Sequence, residues 1–323
     1  MIRTAESVSP MHPDKICDRI SDAILDDLLR QDPYSRVAVE TMGGHGIITV
    51  TGEVTSNGYT NVRKLIHDML GGRYGVQVNI VEQSSEIATG VDTGGAGDQG
   101  IMVGYATNET IELMPMEVML ARGLNRYIFE KHGSKDDGKT QVTLDIKTKE
   151  ILALVASFQN ISKDELFTDI KEWVDSKNLK FKESEIYCNP AGDWHTGGFE
   201  ADTGVTGRKL MVDNYGPRIP VGGGAFSGKD PTKVDRSAAY MARKIAVDYL
   251  KKYNAKEVFG YLAYAIGKAE PLQSTVIVDG KEMVIEGYNL TPKGIIDFLD
   301  LRKPQYQETA RYGHFGNGFI WDK

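Results

Sequence analysis

The sequence predicts an α+β fold of three similar units, each of mostly antiparallel sheet with helices. Two observations carry that reading. The order helix–strand–strand–helix–strand, or close to it, occurs three times along the 323 residues, at a period of roughly 100. Neighbouring strands are joined by short turns, which suits antiparallel pairing and not a doubly wound parallel sheet. The length permits two or three domains. No low-complexity linker separates the repeats, so the units 1–94, 95–194 and 195–323 are expected to pack together.

In the first unit, His12-Pro13-Asp14-Lys15 opens a helix, with Pro13 at the first helical position, where a missing N–H costs nothing. Ile16, Ile20, Ala23, Ile24 and Leu28 form its apolar stripe, and Asp18, Asp22, Asp26 and Arg30 fall off that stripe. Extended runs follow at 36–41 and 46–54, then a helix at 60–70 and a strand at 76–82. The segment 83–100 contains Gly90, Gly94, Gly95, Gly97 and Gly100. It is too long and too glycine-rich for an ordinary connection and reads as a lid or ligand-wrapping loop.

The second unit reads as a strand at 101–106, a helix at 116–131, strands at 140–146 and 151–158, a helix at 164–176 capped by Ser162, and a strand at 185–188. The third reads as a strand at 208–213, then a long helix with Asp230 as N-cap and Pro231 at its first position. Strands at 258–266 and 275–278 follow, with a further run at 283–287 and a helix at 291–299. In the tail, Tyr306, Tyr312, Phe315, Phe319 and Trp321 read as aromatics packed onto the body.

A net charge of −7 and a pI near 5.5 argue against a nucleic-acid binder, which needs a basic face. Cys17 and Cys188 sit in no paired motif, so a disulfide scaffold or zinc site is not expected and a reducing compartment fits. No apolar run reaches about 18 residues and no signal-peptide pattern is present, so a cytoplasmic protein without membrane attachment is expected.

The chemistry concentrates in 222–237, where a glycine run meets Lys229 and Lys233 at a helix start. Helix amides, dipole and ammonium groups would converge there on an anion, most plausibly phosphate. Gly223, Gly228 and Lys229 nearly satisfy a P-loop, but Asp230 stands where the magnesium-binding hydroxyl belongs, and turn-like residues precede it. Lys139, Arg208 and Lys209 are further cations, together more than a monophosphate needs. Each has a plainer reading: Asp136–Lys139 as a hairpin turn, Arg208-Lys209 as a solvated pair on a strand. His12 sits beside Asp14 and Lys15 at a helix start, as a cap or as a catalyst. Asp14 could hold Mg²⁺ with phosphate oxygens completing the shell. Asp235 lies within the long helix, and Glu40 and Glu53 on the two strands after the first helix, where carboxylates are commonly solvated. Read from residues alone, this is a magnesium–polyphosphate site with a histidine, closed by a loop; the spacing names no second substrate.

Several long motifs then agree. Glu6-Ser-Val-Ser with His12-Pro-Asp-Lys15, Gly95-Ala-Gly-Asp-Gln-Gly100 with Gly104-Tyr-Ala-Thr-Asn-Glu109, Asp202-x-Gly-x-Thr-Gly-Arg-Lys209, Gly222–Ser237 and Tyr312-Gly-His-Phe-Gly316 resemble the S-adenosylmethionine synthetase (methionine adenosyltransferase) family. The resemblance runs from about residue 4 to Trp321. It implies three α+β subdomains about a pseudo-threefold axis, ATP and L-methionine as substrates, a pair of Mg²⁺ ions and K⁺ as cofactors, and a homo-oligomer, dimer or tetramer, with active sites at the dimer interface. It assigns catalysis to His12, Lys139, Arg208 and Lys229. ATP contacts fall on His12, Asp137, Lys139, Trp194, Asp202, Arg208, Lys209, Ala225 and Lys229. Methionine contacts fall on Glu53, Gln83, Asp98, Asp202 and Lys233. Mg²⁺ falls to Asp14 and Asp235, K⁺ to Glu40, and the gating loop to 83–100.

The chain also departs from the family pattern. Asp193 replaces an arginine, Trp194 an adenine-stacking phenylalanine, and Phe199-Glu200-Ala201 a segment of usually small residues, and the gating loop is shorter. These changes imply altered nucleotide affinity or gating with the chemistry retained. A diverged phosphohydrolase acting on ATP or triphosphate, and a non-catalytic nucleotide-binding subunit, stand as alternatives on sequence alone.

Overall fold

A computed structural model describes residues 1–82 and 94–323, so Gln83 and most of the expected loop 83–100 lie outside the described residues. Strand β1 (Ile2–Val8) leads to helix α1 (Pro13–Gln31), β2 (Arg36–Gly44), β3 (Ile47–Thr55), α2 (Val62–Leu70) and β4 (Gly75–Val81). Then come β5 (Gly100–Thr107), α3 (Met116–Lys131), β6 (Gly138–Asp145), β7 (Glu150–Phe158), α4 (Lys163–Lys177) and β8 (Ile186–Cys188). The last third holds β9 (Gly204–Val205), α5 (Val234–Tyr253), β10 (Glu257–Tyr264), β11 (Gln273–Val278), β12 (Lys281–Val284) and α6 (Pro292–Phe298).

These strands form three four-stranded sheets, ordered β4-β3-β2-β9, β1-β6-β7-β8 and β12-β11-β10-β5. Pairing is antiparallel except between β3 and β4 and between β7 and β8. Each sheet carries one long helix: α1 packs on β2, α3 on β1 and β6, α5 on β5 and β10. The α+β expectation holds. Against the sequence intervals, each sheet also takes one strand from elsewhere. β1 crosses to the second sheet, β5 to the third and β9 to the first, a cyclic exchange that fits three like units about a pseudo-threefold axis.

Glycine sets how closely helix and sheet approach. Gly104 and Gly260 face each other across β5 and β10. A Cβ on Gly104 would lie 2.0 Å from the Ala242 carbonyl, so α5 rests directly on the strands. The tail packs as expected: Trp321 stacks on Tyr240 at 3.8 Å and Phe315 on Tyr215 at 4.7 Å. No described helix is long and apolar enough to cross a membrane.

Three local expectations fail for tertiary reasons. The sequence predicts no strand at β1, because Ile2, Ala5 and Val8 are too sparse an apolar pattern; seven residue pairings with β6 make it one. The strand expected at 208–213 is a single helical turn, Leu210–Asp213. Lys209 and Asp213 are drawn instead onto Asp14 and Lys15 of α1. The long helix starts at Val234 with Lys233 as N-cap, not at Pro231. The Asp230 carboxylate is taken by the Val37 N–H at 2.7 Å, the Thr232 N–H at 2.8 Å and Lys233 Nζ at 2.5 Å, which holds 230–233 as a turn against β2.

Candidate active site

The site is organised by α1. His12 is its N-cap, with Nδ1 accepting the Asp14 N–H at 3.2 Å. Four aspartates then recur at every fourth position, one above another on the same helix face. Asp14 accepts the Val205 N–H at 2.9 Å, and Asp18 the Gly207 N–H at 2.8 Å. Asp22 accepts the Gly228 N–H at 2.8 Å, and Asp26 those of Tyr306 and Gln307 at 3.0 and 2.9 Å. All four are buried, so Asp18, Asp22 and Asp26 are not the outward residues their place off the apolar stripe suggested. Buried carboxylates persist only when paired. Lys15, also buried, bonds Asp18 at 2.9 Å and Asp213 at 2.5 Å; Arg236 grips Asp22 through two nitrogens at 2.6 and 3.0 Å. Lys15, Asp213, Asp22 and Arg236 build the site without being among the residues expected there. The available signal was an aspartate at every fourth position over four successive turns of one helix.

Seven expected residues gather at the start of α1. Lys209 Nζ bonds Asp14 at 2.5 Å, and Arg208 Nε lies 3.7 Å from the same carboxylate. Burial opposes charge on Asp14, but the Lys209 bond and the Val205 N–H outweigh it and lower its pKa. Burial first, then Lys209, pushes the His12 pKa down to about 4; Lys139 acts in the same sense and Asp202 against it. His12 is therefore neutral at pH 7. With Nδ1 accepting, the ring proton sits on Nε2. Asp137 accepts the Gly198 N–H at 3.1 Å, and burial pushes its pKa up to about 6 despite that bond and nearby Lys139. Asp137 is thus buried, not at the tip of an exposed hairpin. A cavity of about 520 Å³ opens beside it, lined in part by Tyr74, Gln159, His195 and Phe199.

Trp194 and Asp193 border this region. Trp194 Nε1 donates to Asn189 Oδ1 at 3.3 Å. The Asp193 carboxylate accepts the Lys163 N–H at 2.9 Å and Asn189 Nδ2 at 3.0 Å, so it serves the N-terminus of α4, where negative charge is favoured. Phe199 packs edge-on against Tyr74, whose hydroxyl donates to Glu200 at 2.9 Å. Ala225 packs against the turn that carries Arg208: a Cβ on Gly207 would come within 2.5 Å of the Ala225 Cβ.

A second group lies further along β2. Lys229 bridges to Ala38, which on its other side pairs with Glu53 of β3. Glu40, two residues along the strand, shares that sheet face. Burial raises the Glu40 pKa, Glu53 adds to the rise and Lys229 opposes it, so the three groups sense one another. Lys229 Nζ bonds Asp235 at 2.6 Å. Gly223 and Gly224 lie against this carboxylate; a Cβ on Gly224 would fall 2.2 Å from it. Gly228, at φ +81°, presses so close to the Val39 carbonyl (1.9 Å from a Cβ) that no side chain fits. Its register at Ala38, against Val205 at Met42, places this group roughly 13 Å along β2 from the first. Asp98 joins neither. It is exposed, in a segment whose Ala96 exchanges backbone bonds with Gly267 and Lys268, and its carboxylate accepts the Gln99 N–H.

Comparison with known proteins agrees over the whole chain. Residues 1–87, 93–194 and 196–323 match the N-terminal, central and C-terminal domains described for S-adenosylmethionine synthetase. Among similar proteins, the S-adenosylmethionine synthase of Petrotoga mobilis is 40% identical, with all of this chain and 96% of that protein aligned. That of Clostridium tetani is 43% identical over 97% of this chain and 93% of its own length. The first alignment spans 385 positions, so this 323-residue chain lacks segments that its relative carries.

Proposed function

The chain belongs to the S-adenosylmethionine synthetase family and makes S-adenosylmethionine from ATP and L-methionine; on that premise we propose how its residues divide the reaction. The methionine sulfur attacks C5′ of ATP, the C5′–O5′ bond breaks with its electrons going to oxygen, and triphosphate leaves whole. The sulfur carries no proton, so no general base is needed, and the main demand is to stabilise charge on the leaving group. Neutral His12 offers Nε2–H to the departing oxygen. Lys139, Arg208, Lys209 and Lys229 bind the triphosphate. Asp137, Trp194, Asp202 and Ala225 hold the nucleoside end, and Glu53, Gln83, Asp98, Asp202 and Lys233 hold methionine. A carboxylate such as Asp98 suits the sulfonium product. One water then divides triphosphate into phosphate and diphosphate.

The donor set fits Mg²⁺ shared with substrate. Among the described residues no three His, Cys, Asp or Glu side chains converge to hold a metal by themselves. Asp14 and Asp235 each offer a single carboxylate, already held by a lysine. Mg²⁺ characteristically takes one or two carboxylates and fills its shell with phosphate oxygens and water. When bound it neutralises charge on the polyphosphate. Glu40, on the open face of the first sheet, is the K⁺ carboxylate.

The reading rests above all on the gathering of His12, Asp14, Lys139, Asp137, Asp202, Arg208 and Lys209 at one helix start. We also propose that a site is completed between two copies, the Lys229 group of one facing the His12 group of the other. Met42, Ile47, Val81 and Ile101 are each more than half exposed and supply apolar surface for that contact. Free, buried Cys17 and Cys188 accord with a cytoplasmic location. One experiment tests both the roles and the sharing. His12→Ala and Lys229→Ala chains, each alone, should yield no S-adenosylmethionine by mass detection from ATP, methionine, Mg²⁺ and K⁺. Co-expressed and purified as a mixed oligomer, they should regain activity, because one of two sites is then intact. Normal turnover by Lys229→Ala excludes its triphosphate role; a silent mixed oligomer excludes the sharing.

A further inference from the structure

A cavity of about 810 Å³ lies between α3, the end of α4 and the C-terminal tail, and among the described residues no expected active-site residue lines it. Three arginines meet there around one tyrosine. Arg126 Cζ sits 4.6 Å from the Tyr312 ring centroid and Arg311 Cζ 5.7 Å. Arg122 is buried in the wall.

Among the described residues Arg122 and Arg126 make no ion pair, although Glu112, Glu130 and Glu308 line the same cavity. Arg122 donates to the carbonyls of Phe315 at 2.5 Å, Val212 at 3.2 Å and Asn214 at 3.1 Å, and its Nε is buried with no partner. Burial draws its pKa down to about 10, with the distant Asp213 and Asp322 acting against that fall. Arg126 donates to Asn317 Oδ1 at 3.1 Å. Among the described residues neither has a carboxylate within ion-pair distance. Arg311 reaches only Glu308, at 3.6 Å, and Glu130 is the other acid nearest Tyr312. Arg19, which bonds the Pro10 carbonyl at 3.2 Å, adds a fourth guanidinium within electrostatic reach of Arg311 and Tyr312. The Tyr312 hydroxyl is likewise buried and without a partner. Arg122 is buried and held by backbone carbonyls, whereas Arg126 is exposed and Arg311 half-buried, so these two, with the buried Tyr312 hydroxyl, are the donors that can reach an anion in the cavity. Trp173 and Phe319 give the same cavity apolar walls.

We propose that this cavity is a second ligand site, taking a small organic anion with a flat apolar body. Its carboxylate, sulfonate or phosphate ester pairs with Arg126 and Arg311 and accepts from the Tyr312 hydroxyl. Its ring lies against Trp173 and Phe319. The site does not depend on the assignment of the synthetic residues.

The test uses the full chain and 8-anilinonaphthalene-1-sulfonate as probe, with uncharged N-phenyl-1-naphthylamine as control. The sulfonate should bind saturably. The exposed-side double variant Arg126→Gln/Arg311→Gln should weaken that binding at least tenfold while retaining synthetic activity, and the uncharged probe should bind both forms alike. Tyr312→Phe, which keeps the ring, should weaken the sulfonate a few-fold. Unchanged sulfonate affinity in the double variant overturns the proposal. So does equal weakening of both probes, which would mark a general loosening of an apolar surface.

Discussion

Asp137 carries charge where burial opposes it, and that cost is informative. A carboxylate whose folded pKa is raised, here to about 6 by burial, binds its proton more tightly in the folded state than in the unfolded one. Between the unfolded value near 3.8 and about 6, stability therefore falls as pH rises, and above that window the whole penalty is present. Asn keeps the shape and an oxygen for the Gly198 N–H without the charge. Asp137→Asn should thus stabilise the protein by about 3 kcal/mol at pH 7.5 and by only about 1 kcal/mol at pH 4.5. On the proposed ATP contact of Asp137, ATP affinity should drop at the same time. Urea denaturation at the two pH values checks this; an equal effect at both would show that Asp137 is not held charged against burial. Locally, Asp136–Lys139 looks like any turn. Only the resemblance singled out Asp137, because the Gly198 N–H that buries it comes from 61 positions away. Asp193 teaches the converse. Its charge is reversed from the family pattern, and sequence alone suggested the nucleotide, whereas its carboxylate is engaged by the first turn of α4.

At the scale of the element, α1 is two helices in one. Its apolar stripe packs on β2, as the spacing of Ile16, Ile20, Ile24 and Leu28 required. Its acidic row holds the C-terminal third, with at least one backbone N–H accepted at each turn. The first face was legible in sequence because hydrophobicity is a local property. The second was not, because a buried aspartate and a solvated one are the same letter until the partner backbone arrives. The Asp22–Arg236 pair shows what that row does for the site: it binds both the Gly228 N–H and the Lys229 carbonyl, the latter at 3.1 Å from Arg236, and so fixes the backbone of the lysine proposed to bind triphosphate. Asp22→Asn leaves Arg236 buried and unpaired and should cost about 3–5 kcal/mol. Arg236→Met in the same chain should recover part of the loss, since no unpaired charge remains. Strictly additive losses in that double-mutant cycle, measured by urea denaturation, would rule out the pair as an energetic unit.

At the scale of the molecule, the threefold repeat and the exchange of strands pull in different directions. The repeat was readable because three runs of the same element order lie end to end. The exchange was not, because β1 and β9 are strands only by virtue of distant partners. Its consequence is that no sequence interval owns a complete sheet. The segment 95–194, made alone, keeps β6, β7, β8, α3 and α4 but loses β1, which pairs with β6 over seven residues and packs under α3. It also presents β5, cut from β10, as an unpaired edge. The lost strand leaves buried residues of α3 such as Val118 and Ala121 short of cover, and a small domain has little stability to spare. The isolated segment should therefore show no cooperative thermal transition by circular dichroism, while one carrying residues 1–9 fused through a flexible linker ahead of it should recover helix and sheet signal. A sharp melt from 95–194 alone would mean that the exchanged strand decorates the central unit without completing it, and the three units would then be free to fold one by one.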